Sequence, residues 1–273
     1  MTHDVTLDGL LGDLDVAIAL ADAADRLSMS RFRADDLIVD TKPDLTPVTE
    51  ADRAVEQALR TELARVRPHD SVLGEEYGSA GDASRRWILD PIDGTKNYVR
   101  GVPVWATLIG LMIDDAVVVG VVSAPALSRR WWAARGHGAF MSDPSTHVPR
   151  RLRASAVANL SDASFSFSDP IGWAEQGARD GLDHLLSHTW RQRAYGDFWS
   201  HMLVAEGAVD IAAEPELQTY DMAALIPIVE EAGGRITSYD GGSALGGGSA
   251  VSTNGPLHEQ VLHFLTGQDR PNR

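Results

Sequence analysis

Cysteine is absent from this chain of 273 residues. Disulfides, thiolate-bound metals and a cysteine nucleophile are therefore excluded. Positive charge is scarce: 24 Lys and Arg stand against 39 Asp and Glu, a formal net charge of -15 with histidine neutral. A nucleic acid or an anionic membrane surface would want a basic face, so neither is an expected partner. Long apolar runs are missing as well. The N-terminal stretch "MTHDVTLDGLLGDLDVAIALADAAD" is interrupted by Asp every few residues and carries no basic leader. It reads as neither a signal peptide nor a membrane span, and a cytoplasmic location is expected. The nine histidines show no metal-like spacing, so His137 and His201 are read as structural or exposed.

What is present is ordinary globular material. Hydrophobic residues make up 44% and charged residues 23%, enough for one large domain or two modest halves sharing an interface. Leu7, Leu10, Leu11, Leu14 and Ile18 fall at helical spacing and predict an amphipathic helix from about Asp4 to Arg31. "IVDTKPDLTPVTEAD" reads as a strand or loop, and Thr49 starts a second helix with Asp52 three residues on, a variant of the capping box. "SVLGEEYG" is a short strand running into a turn. "RRWILDPIDGT", "VWATLIGLMI", "AVVVGVVSAP" and "RRWWAARG" are rich in β-branched and aromatic residues, and the last three predict an antiparallel meander.

Polar, proline-containing residues 143–149 mark the expected boundary between halves at 1–148 and 149–273. Beyond it strands and helices alternate, with "DMAALIPIVEEAGG" as one helix and a final helix from Pro256. The fold class is thus α/β, an α+β half followed by an α/β half. "GGSALGGGS" lacks the strand-to-helix context and the Lys-Ser/Thr of a phosphate loop, and reads as a surface loop. Trp131 and Trp132 read as packing residues.

Acids sit in loops at four separated places: Asp44 in "KPDLTP", Glu75 and Glu76 in "GEEYG", Asp90 and Asp93 in "DPIDGT", and Asp221 in "TYDMAA". Each alone could be a solvated loop acid. Together, at the ends of predicted strands, they can converge on one crevice. Two aspartates held three apart in a proline-stiffened turn repel each other unless something positive lies between them. Oxygen donors without Cys or His select hard cations, Mg²⁺ foremost and Mn²⁺ as a substitute. Pro91 fixes its own φ and leaves the Ile92 carbonyl free to coordinate. Gly94 allows close backbone approach, and Thr95 begins a short helix whose free N–H groups suit a phosphate.

"GEE", "DPIDGT" and "YDMAA" resemble, in order and spacing, the three signatures of the inositol-monophosphatase-like Mg²⁺-dependent phosphatases, over nearly the whole chain. The last departs from the usual Trp-Asp by Tyr220. The resemblance implies a layered α-β-α-β-α sandwich, usually a homodimer, that binds two to three ions and hydrolyses a small phosphate monoester. It makes Glu75, Asp90 and the Ile92 carbonyl ligands of one metal and Asp90, Asp93 and Asp221 ligands of a second, with a third ion by Glu75. Asp44, Glu75 and Thr95 become the catalytic set, Thr95 and Asp44 orienting the attacking water. Asp93, Gly94, Thr95, Asp197, Glu214 and Asp221 become the substrate contacts.

Within that family, "KPDLTPVTEADRAVE", "DGTKNYVRGVPVW" and "RAYGDFWS" resemble the histidinol-phosphatase branch most. An amino alcohol bearing an ammonium suits an acidic rim at Asp197 and Glu214. Asp197 is equally readable as a helix cap before "FWSHMLVAEG", and Lys96 as a solvated charge or a phosphate neighbour. The alternatives are an inositol-1-monophosphatase or related sugar or nucleotide phosphatase, and, in another class, a non-catalytic regulator that binds metal or phosphate.

Overall fold

Apolar side chains recurring every three or four residues place Leu10, Leu14, Ala17, Leu20, Ala21 and Ala24 on the buried face of helix α1 (Leu7–Arg31). The computed structural model describes residues 7–43, 46–145 and 148–266. A small hairpin of β1 (Val39–Thr41) and β2 (Pro47–Thr49) leads into α2 (Glu50–Val66). As the spacing of Thr49 and Asp52 predicts, α2 opens with a complete capping box: Thr49 accepts from the backbone of Ala51 and Asp52, and Asp52 accepts from the Thr49 N–H.

Next come β3 (Ser71–Gly74), β4 (Gly78–Ala80), β5 (Arg85–Asp93), the short α3 (Thr95–Val99), β6 (Ala106–Ile113), β7 (Ala116–Ala124), β8 (Arg129–Ala134), β9 (Gly138–Ser142) and β10 (Arg150–Arg151). They form an eight-stranded sheet in the order β10-β9-β8-β7-β6-β5-β3-β4. Every neighbouring pair is antiparallel except β3 with β5, so the meander expected from β6 to β8 is present. β10 still pairs with β9, just past residue 149.

The rest of the chain supplies β11 (Ser164–Phe167), α4 (Pro170–Glu175), α5 (Arg179–His188), β12 (Arg191–Arg193), α6 (Asp197–Ala205), β13 (Ile211–Glu214), α7 (Thr219–Ala223), α8 (Leu225–Glu231), β14 (Arg235–Thr237), β15 (Ala250–Thr253) and α9 (His258–Thr266). Its five-stranded sheet runs β12-β11-β13-β15-β14 and is mixed: β11 lies parallel to β12 and β13, while β15 is antiparallel to both neighbours. The single helix expected over "DMAALIPIVEEAGG" is two, meeting at Ala224. Pro227 explains the break, since it has no N–H for the carbonyl one turn earlier.

Alternation along the strands sorts the core into layers. Ile109, Leu111, Val119 and Val121 face α1 and α2, whereas Leu108 and Val122 face Phe198, Met202, Leu225 and Ile228 of α6 and α8. On the far side Phe165, Ile211, Ala213 and Val251 pack under α4, α5 and α9. The order is helix, sheet, helix, sheet, helix, as expected. Each fully buried large apolar side chain contributes roughly 1.5–3 kcal/mol.

One contact sets the depth of the middle layer. Gly110 and Gly120 are cross-strand partners on β6 and β7. A Cβ on Gly110 would stand 2.9 Å from the Ala223 Cβ, and one on Gly120 would stand 2.2 Å from the Ala224 carbonyl oxygen. The junction of α7 and α8 therefore lies directly on bare backbone.

Candidate active site

Asp90 and Asp93 would point to opposite faces of a regular strand, because side chains alternate. The register prevents it. Asp90 pairs with Leu108 and Asp93 with Ala106, so three steps on β5 match two on β6. Pro91 and Ile92 occupy this bulge, which re-aims the second carboxylate toward the first. Asp221, at the third position of α7, comes from the opposite layer. Carboxylate oxygens of Asp90, Asp93 and Asp221 all lie within 4.8 Å of one another.

Glu75 follows β3 directly and enters the same pocket of about 320 Å³, together with Gly94, Thr95, Lys96, Asp197 and Glu214. Buried Glu56 holds this corner, accepting from the backbone N–H groups of Glu76 (2.6 Å) and Tyr77 (3.2 Å). Lys42 reaches both acids, 2.7 Å from Glu75 and 2.6 Å from Glu76. Gly94 takes φ of 80° to turn the chain into α3, a conformation that suits glycine.

The charges are tightly constrained. Burial pushes Glu75 up to about 7, against the pull of Lys42. Burial likewise raises Asp221 to about 6. Asp90 and Asp93 stand well above the usual carboxylate range, through burial first and then the negative neighbours around them. Asp90 Oδ1 is buried with no hydrogen-bond partner. An orphaned anionic oxygen among converging carboxylates, with oxygen as the sole donor type, fits a hard divalent cation.

Thr95 Oγ1 lies 2.9 Å from the Ile92 carbonyl and 3.3 Å from Asp52 Oδ1. Asp44, the carboxylate expected beside Thr95, lies outside the described residues. The carboxylate the structure brings there is Asp52, fully buried, with Oδ2 taken by the N–H and hydroxyl of Thr49. Sequence reading saw Asp52 only as a cap. A capping acid and an acid with a second duty look identical in the sequence, so no signal separated them.

Asp197 is not a helix cap. Gly196 is the N-cap of α6 and makes no side-chain cap bond. Asp197 holds φ of 52°, and its Oδ2 accepts from Asn97 Nδ2 at 3.1 Å. The next N–H, that of Phe198, donates to Asp93 Oδ2 at 2.9 Å. These two bonds clasp α6 to the α3 turn. Burial, with Glu214 adding repulsion, raises Asp197 to about 7. Elsewhere, Trp131 is buried and donates to Glu206, and Trp132 stacks on Phe140, both packing roles. The glycine-rich loop braces α7: Leu217 N–H donates to the Gly248 carbonyl and Thr219 to that of Leu245.

An acidic, all-oxygen cation site between two α/β layers, opening on a pocket sized for a small molecule, is the class of site this fold defines. The model of the inositol monophosphatase family matches residues 13–267, and the chain belongs to that family. It is a phosphoric monoester hydrolase. The chain is 60% identical to the histidinol-phosphatase of Mycobacterium tuberculosis over 97% of its own length and 99% of the relative's. It is 57% identical to the histidinol-phosphatase of Streptomyces coelicolor, covering 93% and 97%. Among solved structures, the extragenic suppressor protein suhB of Bartonella henselae superposes with a TM-score of 0.85 at 29% identity, over 94% of this chain and all of that one. Among the described residues no helix is long and apolar enough to cross a membrane.

Proposed function

We propose that this enzyme hydrolyses histidinol phosphate to histidinol and phosphate. The observation that carries the reading is a second acidic pair, Asp197 and Glu214, lining the same pocket as Asp93, Asp221 and Thr95. The cluster of Asp90, Asp93 and Asp221 accounts for the phosphate end through its cations. Asp197 and Glu214 are not members of that group of three but adjoin it, and they extend it into an anionic rim for a cationic group. The names of the two relatives agree with this choice.

Glu75, Asp90, the Ile92 carbonyl, Asp93 and Asp221 would hold two to three Mg²⁺ ions, with Mn²⁺ as a substitute. Such ions, when bound, supply the positive charge that draws in the phosphate and makes water more acidic. The chain's own part is orientation. Thr95 has one hydroxyl proton, within reach of the Ile92 carbonyl at 2.9 Å and buried Asp52 at 3.3 Å; given to either, it leaves the oxygen lone pairs to accept from a water. Asp52, raised by burial, is fixed through its other oxygen by Thr49 and cannot swing away. Gly94 leaves room for the phosphate, and Lys96 stands at the same rim. The same reading takes a homodimer as the assembly and the cytoplasm as the location, by resemblance to the family. A panel of histidinol phosphate, inositol 1-phosphate, fructose 1,6-bisphosphate and phosphoadenosine phosphate tests it. Preference for any of the last three would reject the substrate named here.

A further inference from the structure

His201 lies on α6 four residues after Asp197, so both rise from one face of one helix. Its ring is 1% exposed. Nδ1 meets Ser252 Oγ at 2.7 Å, and Nε2 meets Glu214 Oε1 at 3.4 Å. Neither Nε2 nor Glu214 Oε1 has a hydrogen-bond partner. Ser252 and Glu214 sit on paired strands, two residues apart in register, because Ala212 faces Ser252 and Glu214 faces Ala250. The imidazole thus spans from β15 to the carboxylate that lines the pocket.

We infer that His201 is a positioning residue for substrate specificity, holding the Glu214 carboxylate in the orientation that receives the cationic end of the substrate. This rests on the histidinol-phosphate reading above. When the Ser252 hydroxyl donates to Nδ1, the ring proton sits on Nε2 and faces the carboxylate. At 3.4 Å the attraction is electrostatic rather than a tight hydrogen bond. It acts between two buried atoms, Nε2 and Glu214 Oε1, where such fields are less diluted than in water. Glu214 also stands beside Asp197, which repels it, and a donor behind it opposes that push. One helix therefore supplies the rim twice, directly through Asp197 and indirectly through His201. A mere core histidine would need no donor aimed at a pocket acid.

The test is steady-state kinetics of the Mg²⁺-loaded full chain on histidinol phosphate and on p-nitrophenyl phosphate, which has no cationic end. His201→Leu is expected to raise KM for histidinol phosphate about tenfold, because a misplaced Glu214 carboxylate weakens one charge-assisted contact to the substrate, with kcat and p-nitrophenyl phosphate hydrolysis within about twofold. His201→Gln keeps an N–H at similar reach and is expected to recover most of the loss. Combined with Glu214→Gln, His201→Leu should add nothing further. Equal losses on both substrates, no rescue by Gln, or additive losses would each overturn the inference. Should His201→Leu fail to fold, Ser252→Ala removes only the hydroxyl that sets the tautomer. It should shift KM for histidinol phosphate in the same direction, and no shift would overturn the inference. Wild-type enzyme that ignores histidinol phosphate but hydrolyses another phosphate overturns the substrate reading and this inference together. Turnover of histidinol phosphate that is indifferent to His201 overturns the inference alone.

Discussion

Thr95 and Asp52 are joined at 3.3 Å between a pocket-lining hydroxyl and a fully buried carboxylate 43 positions earlier in the chain. The pair predicts that Asp52→Asn and Thr95→Ala each lower kcat by about 10²–10⁴-fold, the range for a misplaced proton acceptor. Metal binding followed by calorimetry should persist in Thr95→Ala. Asp44→Asn serves as the control. If it, rather than Asp52→Asn, abolishes turnover, the water is oriented by the carboxylate first expected from the sequence.

Removing the cations is expected to abolish activity, and adding Mg²⁺ to restore it. Asp93→Asn should cost several orders of magnitude in turnover, because one charge leaves a site shared among Asp90, Asp93 and Asp221. Full activity in excess EDTA would sink the assignment of the acidic cluster.

The acidic cluster also sets a pH dependence for the metal-free protein. Glu75 and Asp197 are raised to about 7 and Asp221 to about 6, each by burial first. Between about pH 4 and 7 the folded chain keeps protons on these groups that the unfolded chain has released. Their stabilising contribution is therefore full below about pH 4 and lost as pH rises through 7. With excess chelator, Tm should fall between about pH 4 and 7, and the rise in Tm on adding Mg²⁺ should grow over the same interval. Asp90→Asn should flatten the slope. An unchanged slope in that variant would assign the decline to overall negative charge instead.

Specificity is expected to separate from catalysis at the rim. Asp197→Asn and Glu214→Gln should each reduce kcat/KM for histidinol phosphate by roughly 10–150-fold, the value of a partly shielded charge-assisted bond. Loss on an uncharged polyol phosphate should be much smaller. Equal losses on both would move inositol 1-phosphate ahead as substrate.

Much of this site is legible in the sequence because its chemistry is. Two acids around a proline make little sense without a cation, and Glu75, Asp93 and Asp221 do line one pocket. The meander from β6 to β8 is legible because β-branched runs leave few other options. Other features depend on distance in space. Asp52 hides inside a capping box that explains it fully at short range. Lys42 sits 33 positions before the glutamate it contacts. The antiparallel β15 inside an otherwise alternating half follows from where α8 and β14 deliver the chain, which residue patterns in β15 do not record. His201 looked like one more core histidine until its two nitrogens had neighbours.

The bare glycines beneath Ala223 and Ala224 make the gap between the two halves of the site a property of main-chain thickness. Side chains elsewhere in the core can swap rotamers or sizes, and the layers they separate will drift by fractions of an ångström. Here there is no side chain to swap, so the helix carrying Asp221 rests on a hard stop. The spacing between Asp221 and the β5 aspartates is thereby insulated from turnover of the surrounding core. A lineage could rebuild most of its interior and still keep the same ruler at its centre.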